Sequence, residues 1–271
     1  MADKEVTILL PHYKSLELTK LCLRLLKTHT DLSRVHVIVL DNGSKDASSE
    51  YLKTVGWIEL LTLDPGVDFK PAVAHSLALN AGLEKVTTPY VLSIHNDSFM
   101  RNDGWLDFLL SEIKRDDNIA GVGSWKLEEK PLYKRFFKGL ERLWQPLWFK
   151  LRGKKDHRIE GLDGNYLYLR SHCAMYRTDV LKKHGLNFLG EEVVAGKSIQ
   201  KGCVDNGYEM VFLPSSTLIK YMYHVNHATL ILYPELGARQ KTIDKGMKRL
   251  KQIFKELRAD ELLAKDELDR A

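Results

Sequence analysis

A chain of 271 residues, 44% hydrophobic and 28% charged, is long enough to bury roughly 70 to 75% of its unfolded surface, which excludes a mainly disordered or fibrous protein. No apolar run reaches the roughly 18 residues a membrane span needs, and the isolated Cys22, Cys173 and Cys203, without CxxC spacing, exclude a cysteine-rich zinc site and predict buried thiols in a reducing compartment. The charge of +5 is unevenly placed: Lys126 to Arg158 holds 11 basic and 4 acidic residues, a balance of +7 that leaves −2 for the rest.

The short apolar run Val6 to Leu10, stopped by Pro11, reads as a buried strand and lacks a signal-peptide core, so a cytoplasmic protein is expected. Ser15 is a candidate N-cap, and Leu18, Leu21, Cys22, Leu25 and Leu26 follow at i, i+3, i+4, i+7 and i+8, one face of a helix. Val35 to Leu40 repeats the buried-strand pattern and ends in Asp41-Asn42-Gly43-Ser44, and Ser44 to Val55 is again helical. Trp57 to Leu63, Ala72 to Lys85, Tyr90 to Ile94 and Gly104 to Arg115 continue as strand, helix, strand, helix. Continuous apolar strands alternating with helices predict a doubly wound, mostly parallel α/β sheet whose ligands bind beyond the carboxyl ends of the strands. The loops at Pro11, Asp41 and His95 should therefore meet at one rim.

After Gly123 the alternation weakens. Strand-like runs occur at Tyr166 to Arg170, Cys173 to Arg177 and Glu209 to Leu213, with a helix at Gly196 to Asn206. From Arg239 the chain is charged and helical, with Ile243, Met247, Leu250, Phe254 and Leu257 spaced 4, 3, 4 and 3, enough to dock on the body or to pair with a second copy.

The rim carries carboxylates. Asp41 and Asp97 each follow a buried strand; either could be a turn residue bonding its own backbone, but on converging loops they suit a hard divalent cation that bridges phosphates. Neither a GxxxxGK[ST] loop nor GxGxxG after the first strand is present, so a nucleotide would need another cradle. A metal-bridged diphosphate fits. Lys70, just before a helix on the same rim, is a candidate phosphate contact.

At this point VTILLPHYKSLELTKLCLRLL, VHVIVLDNGSKDAS and TTPYVLSIHNDSFMRNDGWL, in that order over roughly residues 5–125, resemble the amino-terminal half of the family 2 glycosyltransferases of the GT-A fold. The resemblance implies a nucleotide-sugar-binding half over 1–125 and an acceptor-side half of the same domain over 126–238, to which the charged helical run over 239–271 is a C-terminal extension. It implies an inverting transfer from a nucleoside-diphosphate sugar to a hydroxyl of a glycan or lipid-linked glycan, assisted by Mg or Mn. Asp41 would contact the base with Asn42 beside it, and Pro11, His12 and Tyr13 would line its pocket. Asn96 and Asp97 would meet the diphosphate and metal. Where the family carries two aspartates this chain reads His-Asn-Asp-Ser, so the metal would lean on Asn96 or a distant histidine, with His224 carried over as a ligand. The acidic pair Glu191-Glu192, then Gly207-Tyr208, Pro214 and His224, keeps the family's order, which makes Glu192 the first choice and Glu191 the second for the base that takes the acceptor proton. A sugar nucleotidyltransferase would want a Gly-rich basic loop after the first strand, which PHYKS does not supply; a degenerate sugar-nucleotide-binding protein is the other alternative.

Within 131–155, aromatic residues such as Trp144 and Trp148 are interleaved with Lys134, Arg135 and Lys138. No zinc-finger, helix-turn-helix or RNP pattern accompanies this charge, so no nucleic-acid partner is expected; an in-plane helix at an anionic membrane surface is, which would make the protein peripheral on the inner face. Salt-sensitive co-sedimentation with anionic but not neutral liposomes is the expected result, and its absence at low salt would leave 131–155 as internal packing or an acceptor lid.

Overall fold

The computed structural model describes residues 4–64, 70–127, 166–190, 194–226, 228–232 and 240–271. Strands β1 (Val6–His12), β2 (Val35–Asp41), β3 (Glu59–Thr62) and β4 (Tyr90–Ile94) are parallel neighbours in the order β3-β2-β1-β4. The short strand β5 (Ser98–Met100) leaves this sheet. It continues with β6 (Ile119–Gly123), β7 (Cys173–Arg177) and β8 (Glu209–Phe212) in the order β4-β7-β6-β8, β7 running antiparallel to both neighbours.

Side chains explain the double winding. Ile8, Leu10, Val37, Val39, Leu92 and Ile94 enter one core with helices α1 (Leu16–Thr28), α2 (Ala47–Thr54) and α4 (Trp105–Ile113). Leu9, Ile38, Leu40 and Val91 enter the other, against α3 (Pro71–Leu83), α5 (Thr178–Lys183) and α6 (Lys197–Asp205). Successive strand residues point to opposite faces, so a strand covered on both sides must be apolar at every position.

The expected sheet and its helices are present, with four differences. Trp57 to Leu63 shortens to Glu59–Thr62, a half-exposed edge strand. Tyr166 to Arg170 forms no strand, and is joined to the sheet's neighbourhood by the Arg170 amide on the Ser124 carbonyl at 3.0 Å. Ser15 precedes α1 as expected but makes no side-chain cap; it sits left-handed at φ 63°, after Lys14 at φ 54°. Two consecutive left-handed non-glycine residues store strain of order 1 kcal/mol or more each, and such strain collects at functional rims. The periodicity also gave no sign of β5 and β9 (Met222–His224), short strands that pair antiparallel with Ser98 opposite His224.

Helices α7 (Ser215–Leu218) and α8 (Ala228–Leu232) flank β9, and α9 (Gln240–Glu256) packs Ile243, Leu250 and Ile253 into the body, with Phe254 edge-on to Phe99 at 6.2 Å. α10 (Ala259–Leu263) and a final 3₁₀ turn (Asp266–Asp269) close the described chain against α1. Among the described residues no helix is long and apolar enough to cross a membrane. The basic aromatic stretch 131–155 lies outside the described residues.

Candidate active site

Parallel pairing in register, with His12 opposite Asp41, brings the ends of β1 and β2 to one rim beside the end of β4. Antiparallel pairing of β7 sets Cys173 opposite Ile94, so Ser171 and His172, which lead into β7, meet the loop that leaves β4. Gly123 permits this closeness: a Cβ there would stand 2.3 Å from the Cys173 carbonyl oxygen.

The loop leaving β4 is a tight turn, closed by the Ser98 amide on the His95 carbonyl at 3.0 Å. It turns His95 and Asp97 toward each other, with His95 Nδ1 3.8 Å from Asp97 Oδ1. The β5–β9 pair then delivers His224, whose Nε2 lies 3.2 Å from the same oxygen. One ligand atom from each of the three residues lies within 4.8 Å of the others. Cis ligands of a cation with bonds of about 2.1 Å stand about 3 Å apart, so two ring nitrogens converging on one carboxylate oxygen suit a divalent ion. His224 and Asp97, both expected as ligands, are brought together; His95 was not foreseen as the third. Its position two residues before Asp97, where the family carries a carboxylate, is the signal that points to it.

Burial alone would raise the Asp97 carboxyl, but the charge and hydrogen bond of His224, followed by the charge of His95, outweigh it and hold the group below the usual carboxylate range. His95 is pushed down to about 3, first by burial and then by His75. A neutral imidazole and an ionised carboxylate are the forms that ligate metal. Oδ2 of Asp97 accepts from the Ala228 amide at 3.4 Å.

Around the triad stand two further histidines without sequence warning. His172 stacks on His224, centroids 4.3 Å apart and planes at 9°, while its Nε2 meets the Ser124 hydroxyl at 2.7 Å. His75, from α3, crosses His95 edge-on at 5.1 Å. Ser171 bridges the two, its hydroxyl 3.0 Å from His75 Nε2 and 2.9 Å from His95 Nε2. Arg170 follows at the edge, its guanidinium 4.5 Å from the Trp125 ring centre and 5.9 Å from that of Tyr168. It forms no ion pair among the described residues, and its charge reaches both His95 and His172. Arg170 was likewise not foreseen.

The residues expected around the base sit differently from an open pocket lining. Asp41 is buried, and it accepts from the Ser44 amide at 3.1 Å and from the Ser44 and Ser49 hydroxyls, each at 2.6 Å. Oδ1 thus holds the Asp-Asn-Gly-Ser turn, in which Gly43 takes φ 76°, and Oδ2 ties it to α2. Asn42 follows in that turn, its amide on the His12 carbonyl at 2.9 Å. His12 lies beneath the rim, Nδ1 on Thr19 at 2.9 Å and Nε2 on Ser48 at 2.8 Å, pushed down to about 4 by burial. Asn96 donates to that same Thr19 hydroxyl at 3.1 Å, tying the loop after β4 to α1. Pro11 is half-buried, Tyr13 is 43% exposed, and Lys70 is exposed as the residue preceding Pro71 of α3. Glu191 and Glu192 lie outside the described residues. A cavity of about 620 Å³ beside α9 and α10, lined in part by Leu250, Phe254 and Arg258, is separate from this cluster and holds none of its residues.

A family description, glycosyl transferase family 2, matches residues 7–185. No curated protein matches the chain. Among solved structures, the mannosyltransferase PcManGT from Pyrobaculum calidifontis, in complex with GDP-Man and Mn2+, is similar at a TM-score of 0.52 and 16% identity over 79% of this chain and 56% of that one. Residues 1–349 of S. aureus TarS are similar at a TM-score of 0.53 and 15% identity, over 81% of this chain and 60% of that one. The chain therefore spans a little over half the length of these proteins, and at such identities the likeness is one of fold, the GT-A arrangement. With its seven-stranded sheet in that arrangement and the family match running from β1 to beyond α5, this chain belongs to glycosyl transferase family 2.

Proposed function

We propose that the chain transfers a sugar, with inversion, from a nucleoside diphosphate to a hydroxyl of a glycan or lipid-linked glycan. The convergence of His95, Asp97 and His224 beyond β4 carries this reading. The acceptor oxygen bonds to the anomeric carbon as the bond from that carbon to the diphosphate breaks, through an oxocarbenium-like transition state. The acceptor proton passes to a carboxylate base, and the nucleoside diphosphate leaves. His95, Asp97 and His224 would hold a divalent cation, Mg or Mn, which when bound would neutralise the charge that develops on the departing diphosphate. PcManGT was solved with Mn2+ and GDP-Man, and TarS with UDP-GlcNAc, which supports a nucleotide sugar as the donor here.

Arg170 is placed to take phosphate oxygens, since a guanidinium with no acid partner among the described residues gains charge-assisted hydrogen bonds on binding an anion. Asp41 and Asn42 serve the base after the Ser44 and Ser49 bonds are exchanged for it. Glu192, or failing it Glu191, acts as the base. The succession from Gly196 through α6, Gly207-Tyr208, β8 and Pro214 to His224 in β9 supports that assignment by order. Contact with an anionic membrane surface through 131–155 would bring the enzyme to a lipid-linked acceptor.

The test is release of nucleoside diphosphate from a panel of UDP- and GDP-sugars with Mn, Mg or EDTA. We expect release from one donor class with metal and none with EDTA, and a fall of about 100 to 10,000-fold for Glu192→Gln with donor affinity kept. A loss below tenfold moves the base to Glu191 or elsewhere. Because the motif has one carboxylate where two are usual, donor binding without cleavage would identify a degenerate sugar-nucleotide-binding protein, and no binding would remove the reading altogether.

A further inference from the structure

We infer that Ser171, relayed to His75, fixes His95 as a nitrogen ligand and so makes the His95–Asp97–His224 group a site for ions of the Mn2+ class that discriminates against Mg2+. The inference rests on the divalent-cation reading above and narrows it.

The proton count decides the tautomer. The Ser171 oxygen lies 2.9 Å from His95 Nε2 and 3.0 Å from His75 Nε2, and a hydroxyl has one proton to give. Its oxygen also has two lone pairs, so at most one of the two imidazoles can accept from it and at least one must donate to it. His95 Nδ1 is the nitrogen on the Asp97 side, so it needs its lone pair free for a metal. The ring proton then belongs on Nε2, donated to Ser171, which leaves the hydroxyl proton available to His75 Nε2. This is the arrangement in which an outer partner orients a metal-bound histidine and selects its tautomer, and loss of such a partner typically costs about 10 to 100-fold in metal affinity. Ser171 and His75 are positioning residues, since neither converges on the triad's carboxylate oxygen. On the far side, the stack of His172 on His224, anchored by Ser124, holds the second ring.

The donor set then decides the ion. Two imidazole nitrogens and one carboxylate give a site with a single negative charge. Mg2+ prefers oxygen ligands and sheds its waters reluctantly, whereas imidazole affinity rises along the first-row metals above Mn2+. An aspartate at position 95 would make the site harder and more negative. The histidine there, secured by a hydroxyl on its outer nitrogen, biases the site away from Mg2+.

The experiment reads metal binding directly. Full-length protein stripped with chelator is titrated with Mn2+ and the free ion is followed by electron paramagnetic resonance, with and without UDP or GDP, then challenged with Mg2+ or Co2+. The wild type should bind about one Mn2+, keep it against a hundredfold excess of Mg2+ and yield it to Co2+. Ser171→Ala and His75→Ala should each weaken Mn2+ binding about 10 to 100-fold with the thermal midpoint of the metal-free protein retained. His95→Asp should bind Mn2+ but release it to a few equivalents of Mg2+, a gain that misfolding cannot mimic. Equal competition by Mg2+ in the wild type, no Mn2+ binding under any of these conditions, or full Mn2+ affinity in both Ser171→Ala and His75→Ala would overturn the inference. Donor turnover does not enter this readout. Selective Mn2+ binding without donor cleavage would remove the transferase reading alone, and donor cleavage supported equally by Mg2+ and Mn2+ would count against this inference alone.

Discussion

Asp97→Asn is expected to lower metal-dependent donor turnover by at least about 100-fold while the protein remains folded. Asp97 is the one carboxylate of the triad, and its Oδ1 is the oxygen on which both ring nitrogens converge. The amide keeps the shape and an oxygen for the Ala228 amide, which bonds Oδ2 in the wild type, but removes the negative charge. A bound cation typically contributes several kcal/mol to stabilising a developing anion, and a loss of about 3 kcal/mol corresponds to about a hundredfold in rate. The folding cost should stay modest, because losing the attraction of His224 and His95 for the carboxylate is partly offset by the desolvation that an amide avoids. The check is nucleoside diphosphate release beside a thermal melt. Wild-type turnover in EDTA should fall to the level of the variant; undiminished turnover in EDTA would sink the cation, and a normal rate for Asp97→Asn would sink this residue's part in holding it.

The sheet was legible because its strands are buried on both faces. Val35 to Leu40 is apolar throughout for the reason that Val37 and Val39 enter one core while Ile38 and Leu40 enter the other, and no amphipathic element produces that pattern. Asp97 and the rim were legible for the same reason: a parallel sheet places its loops at one end. What the sequence withheld was pairing at a distance. His224 meets Asp97 only because β5 and β9, three residues each, pair across more than a hundred positions, and three residues are too few to show a period. His75, Ser171 and His172 come from α3 and from the approach to β7, and nothing in their spacing announces a shared site. The half-exposed β3 was overextended because Trp57 and Leu63 are apolar yet lie beyond the paired residues. Ser15 misled in a different way. It stands where a cap belongs, but the left-handed turn after β1 leaves no side-chain cap bond.

The same blindness to distance hid the contact with the largest expected effect on stability. Arg24→Ala should cost about 3 to 5 kcal/mol, the typical penalty for removing one partner of a buried ion pair. The Arg24 side chain is wholly buried in α1, where the residue's position on the helix gave no hint of a charged core. Its guanidinium pairs with Asp269, Nε at 3.0 Å from Oδ1 and Nη2 on Oδ2, and Nη1 donates to the carbonyls of Leu262 and Leu263 at 3.0 and 2.6 Å. Tyr51 donates to Asp269 at 2.8 Å, and the Trp57 indole to the Leu268 carbonyl at 2.9 Å. One planar cation thus ties the end of the chain to α1, and alanine would take the charge partner from the buried Asp269 carboxylate, leaving it the Tyr51 hydroxyl, and a donor from the Leu262 and Leu263 carbonyls. Lysine cannot reproduce the fork and should recover little of the loss. At about 2 to 4 °C per kcal/mol for a domain near this size, the thermal midpoint should fall by about 6 to 20 °C. If instead only residues 258–271 come loose, the midpoint will hold while limited proteolysis removes that segment, and the contact is then a local clasp. Either result bears on the site, because α1 also presents Thr19 to His12 and Asn96. A midpoint and a cleavage pattern both unchanged in Arg24→Ala would show that α1 is held by its apolar face alone.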